Sequence, residues 1–456
     1  MLLAGTIVLS GAPARASITS ERELGDEFVK EARRGMPLIT DWEVNRLVTE
    51  IGQRFVKVLD QPQPFQYEFF VVSEDSINAF AVPGGKIFVH AGLIARAESE
   101  DELAGVIGHE IAHAHAHHSV RQQEKGAAAN YASLLGIFLT ALNPVLGQAA
   151  IAAALSQQLK YQRDFEREAD FLGIEYAKKA GFQPGAMLGL LRKIYEEQQI
   201  NPTSIPPYFQ SHPLSGERMA NLEAKLRETE WQVKKPTKSW RLERTQAIVR
   251  ANAQTRRECV APYERRLAEA SPEDKPGALE LLGTLMVHGD EFDSGRRYLE
   301  EAQAAGRQVD RELGRAYLRE GRLDDAEKLL ARQVGREPGD YDAIGDLGDV
   351  YFQKGQYAKA VENLQKAVML EPYIPNMQRS LGRALDKDGK TGAGFYYFGQ
   401  ATESDGDVFM ALGYYQRAVE RLDSNDPLRA KAKDRIAALE KEKPRIPFQP
   451  GSRLGR

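Results

Sequence analysis

Six positions of this chain recur 34 residues further on. Gly314, Tyr317, Gly321, Ala326, Leu330 and Pro338 return as Gly348, Tyr351, Gly355, Ala360, Leu364 and Pro372. A period of that length holds one helix–turn–helix unit, whose small residues let the paired helices approach and whose prolines mark the unit ends. Such units stack on their neighbours into an α-solenoid with a concave surface suited to peptides or proteins. Gly382, Leu385, Gly389 and Ala401 continue the register more loosely. Leu281–Phe292 reads as a degenerate earlier unit, and residues 405–440 as a closing helical pair. The repeats are expected over residues 263–440.

The first half carries a different signal. Five of the eight histidines fall within ten residues, and two of them open His109-Glu110-Ile111-Ala112-His113. On a helix, residues four apart share a face about one turn from each other. His109 and His113 can then turn an imidazole nitrogen toward one Zn²⁺. Glu110, roughly 100° round the helix, can act as general base on a water at the metal without ligating it. Ser99 with Glu102 predicts a capped helix start, and Leu103, Val106, Ile107 and Ile111 give an apolar face. His115, His117 and His118 are read as decorating the helix end, where imidazolium interacts well with the terminal carbonyls, and not as ligands.

A catalytic zinc site needs a third ligand and one position open to water. Glu166-Arg167-Glu168-Ala169-Asp170 supplies carboxylates on a predicted helix running through Leu172, Ile174 and Tyr176. Glu166 and Asp170, four apart, allow one to bind the metal and the other to orient a ligand histidine. Spacing alone does not choose between Glu166 and Glu168. From Phe69 to Leu93 the chain reads as strands broken by Pro83-Gly84-Gly85. A hairpin edge beside the helix would take a peptide by strand addition. Asn78 is a candidate contact for that strand, or a turn residue satisfied locally.

These strings resemble the gluzincin metallopeptidases, the family that includes the CAAX prenyl protease and HtpX. The resemblance covers about residues 20–230, and with the tetratricopeptide-like repeats it is strongest to the BepA-like periplasmic subgroup. It rests on HEIAH, on EREAD followed by Phe171-Leu172-Gly173, on Asn78–Gly85 leading into Lys86–Val89, and on Ser211-His212-Pro213 followed by Arg218. It implies Zn²⁺, one per chain, held by His109, His113 and Glu166, with Glu110 and Asp170 as catalytic residues, Asp170 behind a ligand. It also implies that His212 is a fourth zinc ligand or regulatory switch that leaves when substrate enters. On chemistry alone His212 could instead donate to a developing oxyanion, or be a plain loop residue. The fold implied is α+β: a mostly helical zinc-peptidase domain with a small β-sheet, over residues 17–230, then the solenoid. The activity implied is a zinc endopeptidase of the periplasm, degrading misfolded outer-membrane proteins or assisting their assembly. Unfolded proteins would be its substrates and the outer-membrane barrel-assembly machinery its partner. The alternative is a chaperone whose zinc site is capped and largely non-proteolytic.

The remaining expectations come from composition. A net charge of −4 argues against nucleic acid as a partner. Residues 1–16, apolar and ending Ala14-Arg15-Ala16, read as a signal peptide. Lone Cys259 cannot form an internal disulfide. Residues 126–158 lack any charged side chain but are broken by Asn143-Pro144 and Gly147. They are expected to cover the active site or touch a membrane surface. Lys234-Lys235-Pro236 suggests a linker over 231–262, and residues 441–456 a disordered tail.

Overall fold

A computed structural model describes residues 18–60, 63–125, 159–200, 208, 212, 213, 215–228, 239–251 and 256–442. The expected signal peptide, the uncharged 126–158 segment and nearly all of the tail lie outside the described residues. Among the described residues, no helix is long and apolar enough to cross a membrane. The chain divides into two compact units, Met1–Ile39 with Val44–Arg250, and Thr40–Glu43 with Ala251–Arg456.

The first unit contains α1 (Ile18–Gly35), α2 (Trp42–Val56), α3 (Ala91–Arg96), α4 (Glu100–His115) and α5 (His118–Lys125). These are followed by α6 (Leu159–Lys179), α7 (Ala186–Ile200), α8 (Gly216–Glu228) and α9 (Trp240–Ala251). Its sheet holds β1 (Leu38–Ile39), β2 (Glu68–Val72), β3 (Ala79–Val82) and β4 (Lys86–His90), in the order β1-β2-β4-β3. Only β2 and β4 run parallel. β3 therefore lies at the sheet edge, joined to β4 by the predicted Pro83-Gly84-Gly85 turn. Gly84 and Gly85 take φ of 79° and 76°, backbone that side chains with a Cβ rarely adopt.

α4 runs through the centre of this unit, packed on α6, α7, β3 and β4. Leu103, Ile107 and Ile111 are fully buried in one core with Leu47, Ile51 and Phe55 of α2. Glycine sets the closeness of that packing: a Cβ on Gly108 would stand 2.5 Å from the Phe55 ring. The start of α4 is capped as predicted, with Ser99 Oγ accepting the Glu102 N–H at 3.2 Å. The Glu102 carboxylate reaches Glu98 N–H, one residue further back than in a simple capping box.

Part of the expected 231–262 linker is ordered helix. In α9, Leu242, Ala247, Ile248 and Val249 are buried, and the Gln246 amide donates to the Ile94 and Ala97 carbonyls at 3.0 and 2.7 Å. Arg241 pairs with Glu100 and Glu50. A basic, polar flank at 234–236 hid an apolar face four residues beyond it.

The second unit is a run of antiparallel helix pairs. Lys275–His288 packs on Phe292–Ala304, Asp310–Arg319 on Leu323–Arg336, and Tyr341–Gln353 on Tyr357–Leu370. Pro375–Lys387 then packs on Thr391–Ser404, and Val408–Arg421 on Pro427–Glu442. The repeat's glycines have distinct roles. Gly321, Gly355 and Gly389 sit in successive turns at φ of 76°, 72° and 82°. Gly314 and Gly348 sit at helix crossings, where a Cβ would stand 2.8 and 2.6 Å from Leu330 and Leu364.

Candidate metal centre

Two helices and His212 build the site. On α6, Glu166, Asp170 and Gly173 follow i, i+4, i+7 and so share a face. That face lies on α4: a Cβ on Gly173 would be in ordinary contact, 3.5 Å from His109 Cα. The third contributor is His212, whose N–H donates to the Tyr208 carbonyl at 2.8 Å. This stacks the two rings with centroids 4.8 Å apart.

One donor atom each from His109, His113, Glu166 and His212 lies within 4.8 Å of the others. His113 Nε2 is 3.0 Å from His109 Nε2, which is 3.4 Å from His212 Nδ1 and 3.5 Å from a Glu166 oxygen. His212 Nδ1 lies 3.0 Å, and His113 Nε2 3.3 Å, from Glu166 Oε1. Two ligand atoms each 2.0–2.1 Å from a tetrahedral ion stand about 3.3–3.4 Å apart, so these spacings fit a single small cation. Three imidazole nitrogens and a carboxylate converging in a buried pocket are a donor set that suits a divalent cation.

The groups behind the donors are equally specific. Asp170 Oδ1 stands 3.0 Å from His109 Nδ1. Arg218, on α8, grips both Asp170 oxygens at 2.8 Å and reaches Glu166 Oε2 at 2.9 Å. The same guanidinium donates to the His212 carbonyl at 3.2 Å, so it holds His212 and the carboxylates together. A cavity of about 330 Å³ opens beside Glu166, Asp170 and Arg218. Glu110, almost fully buried, accepts the Ala81 N–H at 3.0 Å through Oε2 and places Oε1 3.4 Å from His212 Nε2.

Burial and charge set the protonation states. Burial disfavours the charged form of His109, but Asp170 and Glu166 outweigh it and raise the pKa to about 9. Burial dominates at His113, which falls to about 3 and is neutral at pH 7. Burial opposes ionisation of Glu166, yet His212, Arg218 and His113 hold its pKa well below the ordinary value. Glu110 goes the other way, raised chiefly by burial.

Of the residues expected from sequence, His109, His113, Glu166, His212, Glu110 and Asp170 meet here. Glu168 does not: it faces Arg121 at 3.0 Å on the other side of α6. Asn78 lies outside the donor cluster. It precedes β3, its carbonyl accepts the His90 N–H at 3.0 Å, and its side-chain Oδ1 has no partner among the described residues. His115, His117 and His118 are not donors, but each has a fixed contact. His115 Nδ1 is 2.7 Å from the Tyr176 hydroxyl, and His117 Nδ1 2.8 Å from buried Glu21. His118 Nδ1 lies 2.9 Å from His113 Nδ1. The contacts of Tyr208 with His212 and of His118 with His113 had no signal in the sequence, and Arg218 was named there without a partner. Only the short spacing from Ser211-His212-Pro213 to Arg218 hinted at the last.

The helix-borne HExxH and its carboxylate helix, followed by an α-solenoid, define a metalloendopeptidase joined to a repeat domain. Residues 43–226 match the model of peptidase family M48, and residues 279–341 and 317–382 match tetratricopeptide-repeat models. Residues 43–226 are thus similar to the M48 peptidases, and residues 279–382, further along, to tetratricopeptide repeats. It is 27% identical over 384 residues to the beta-barrel assembly-enhancing protease of Yersinia pestis, covering 82% of this chain and 72% of that protein. A Vibrio cholerae counterpart is 35% identical over 229 residues, 48% of this chain and 47% of that protein. The mitochondrial metalloendopeptidase OMA1 of Schizosaccharomyces pombe is 28% identical over 225 residues, 48% of this chain and 65% of that protein.

Proposed function

We propose that this chain is a zinc-dependent endopeptidase of the periplasm that acts on misassembled outer-membrane proteins, with the repeats recruiting substrate or the barrel-assembly machinery. The observation that carries the catalytic part is the convergence of His109, His113, Glu166 and His212 donors within 4.8 Å, with Glu110 alongside. Zinc, when bound there, supplies Lewis acidity toward a peptide carbonyl and toward water. His109, His113 and Glu166 hold it. Asp170 fixes the His109 ring from behind, while Arg218 balances the charge of both carboxylates. Glu110 takes the proton of the attacking water and returns it to the leaving amine, a cycle helped by a carboxyl whose pKa burial has raised. β3, at the sheet edge, offers a backbone for strand addition by an extended peptide, with Asn78 at its start. Relatives named beta-barrel assembly-enhancing protease support the reading of the role, and the apolar residues 1–16, read as a signal peptide, support the compartment.

His212 supports a second reading within the first. A fourth ligand leaves no place for water. The enzyme is then latent until substrate displaces His212, or, if His212 never leaves, the chain works as a chaperone. Casein digestion by the wild type, Glu110→Gln and His212→Ala at equal zinc content separates these. Cleavage by the wild type or by His212→Ala, absent in Glu110→Gln, supports the peptidase and shows whether His212 restrains it. No cleavage by any of the three, with zinc bound, favours the capped, non-proteolytic reading.

A further inference from the structure

The two helix-borne histidines of the cluster are backed differently. His109 has a carboxylate behind it, Asp170 at 3.0 Å. His113 has another imidazole, with the two Nδ1 atoms 2.9 Å apart and the ring centroids 4.8 Å apart at 78°. Two imidazole nitrogens at that distance share one proton, so one donates and the other accepts. His113 can present Nε2 to a cation only if that nitrogen is bare, which leaves its proton on Nδ1. His118 Nδ1 must then accept, and the His118 proton sits on Nε2, which faces Glu168 Oε2 at 3.3 Å. Glu168 is in turn gripped by Arg121, whose Nη1 reaches both carboxylate oxygens at 3.0 Å. The contacts from the cluster to the surface thus run His113, His118, Glu168, Arg121, the His118–Glu168 step being a charge contact at 3.3 Å without hydrogen-bond geometry.

The backbone is arranged to make that chain. α4 ends at His115, and His117 takes φ of 52°, a left-handed conformation uncommon outside glycine. Glu21 holds the His117 ring at 2.8 Å, and the His117 carbonyl accepts the Arg121 N–H at 2.9 Å. The reversal points the next side chain, His118, back along α4 at His113. Phe165 covers the His118 ring, centroids 4.6 Å apart, and His118 is buried.

We propose that His118 is a positioning residue for His113: it selects the tautomer and ring orientation in which His113 Nε2 faces the metal, and Glu168 with Arg121 sets His118 in turn. This rests on the reading of His109, His113 and Glu166 as a metal centre. Its test is the affinity of the full-length chain for Zn²⁺, measured against a chromogenic chelator, together with the absorption spectrum of the Co²⁺-loaded protein. His118→Phe keeps the packing on Phe165 and removes both nitrogens. It is expected to weaken Zn²⁺ binding 10–100-fold and to shift the Co²⁺ bands, while His118→Gln, whose amide oxygen can accept from His113, recovers most of the affinity. Glu168→Gln, at a half-exposed site that leaves folding intact, is expected to weaken binding by a smaller factor, about threefold, and decides the matter if His118→Phe fails to fold. A role in packing alone would lower the melting temperature of His118→Phe and leave affinity and spectrum unchanged. Wild-type affinity in both His118→Phe and Glu168→Gln overturns the proposal while leaving the metal centre intact. Failure of the wild type to bind Zn²⁺ overturns the metal centre itself.

Discussion

Glu110 accepts a hydrogen bond from the backbone N–H of Ala81, 3.0 Å away, so the carboxylate beside the histidine cluster is tied to the edge strand on which a peptide would lie. The tether relates the base to the substrate path, and it survives an amide in place of the acid. Glu110→Gln should therefore fold, hold metal and lose peptide hydrolysis by at least about 10²–10⁴-fold, the share carried by general base catalysis. Metal content and casein digestion on one preparation check this.

Arg218 is the buried cation that balances Asp170 and Glu166. Removing one partner of a buried ion pair strands the other, typically at about 3–5 kcal/mol. Arg218→Met is expected to destabilise the metal-free peptidase unit by that order. Urea unfolding measures it. A loss below 1 kcal/mol would mean the carboxylates find other partners.

The metal-free and metal-bound proteins should respond to pH in opposite directions. The His109 pKa rises from 6.5 to about 9 on folding. Its contribution to stability is complete below about pH 6.5 and disappears as pH climbs through 9. The metal-free melting temperature should fall over that window. Metal, by contrast, must displace the His109 proton, so affinity rises with pH and about one proton is released per ion at pH 7. Calorimetry in buffers of different ionisation enthalpy counts it. Release of none would contradict the assignment of His109.

The repeat's glycine at the helix crossing is a packing requirement. A Cβ on Gly348 would lie 2.6 Å from Leu364. Gly348→Val should destabilise the repeat unit by about 1–3 kcal/mol or more through overpacking. Gly355→Ala, with φ of 72° and open space, costs through backbone strain instead. Far-ultraviolet circular dichroism melts of both variants would compare the two mechanisms.

Much of this was legible in the chain because it is written at short range. The 34-residue spacing specified the helix pairs, and HExxH needed only one turn of helix to bring two histidines together. Glu166 and Asp170 share a face for the same reason. Spacing could not choose between Glu166 and Glu168, since the two lie about 200° apart on α6 and only tertiary packing says which side meets α4. Arg218 and Tyr208 were opaque for a related reason: Asp170 lies 48 residues from Arg218, and Tyr208 and His212 fall in a stretch without periodicity. The contact of His118 with His113 was not legible because a left-handed residue at His117 reverses the chain there, and no pattern of polarity predicts that. The linker erred where composition stood in for burial.

A metal centre made of these residues is expected to hydrolyse peptides through Glu110. The most direct measurement compares casein digestion by His212→Ala with that by the double variant His212→Ala/Glu110→Gln, each with its metal counted. One equivalent of zinc is expected in both, with cleavage by the single variant and none by the double. Equal cleavage by the two, at equal metal, would contradict it.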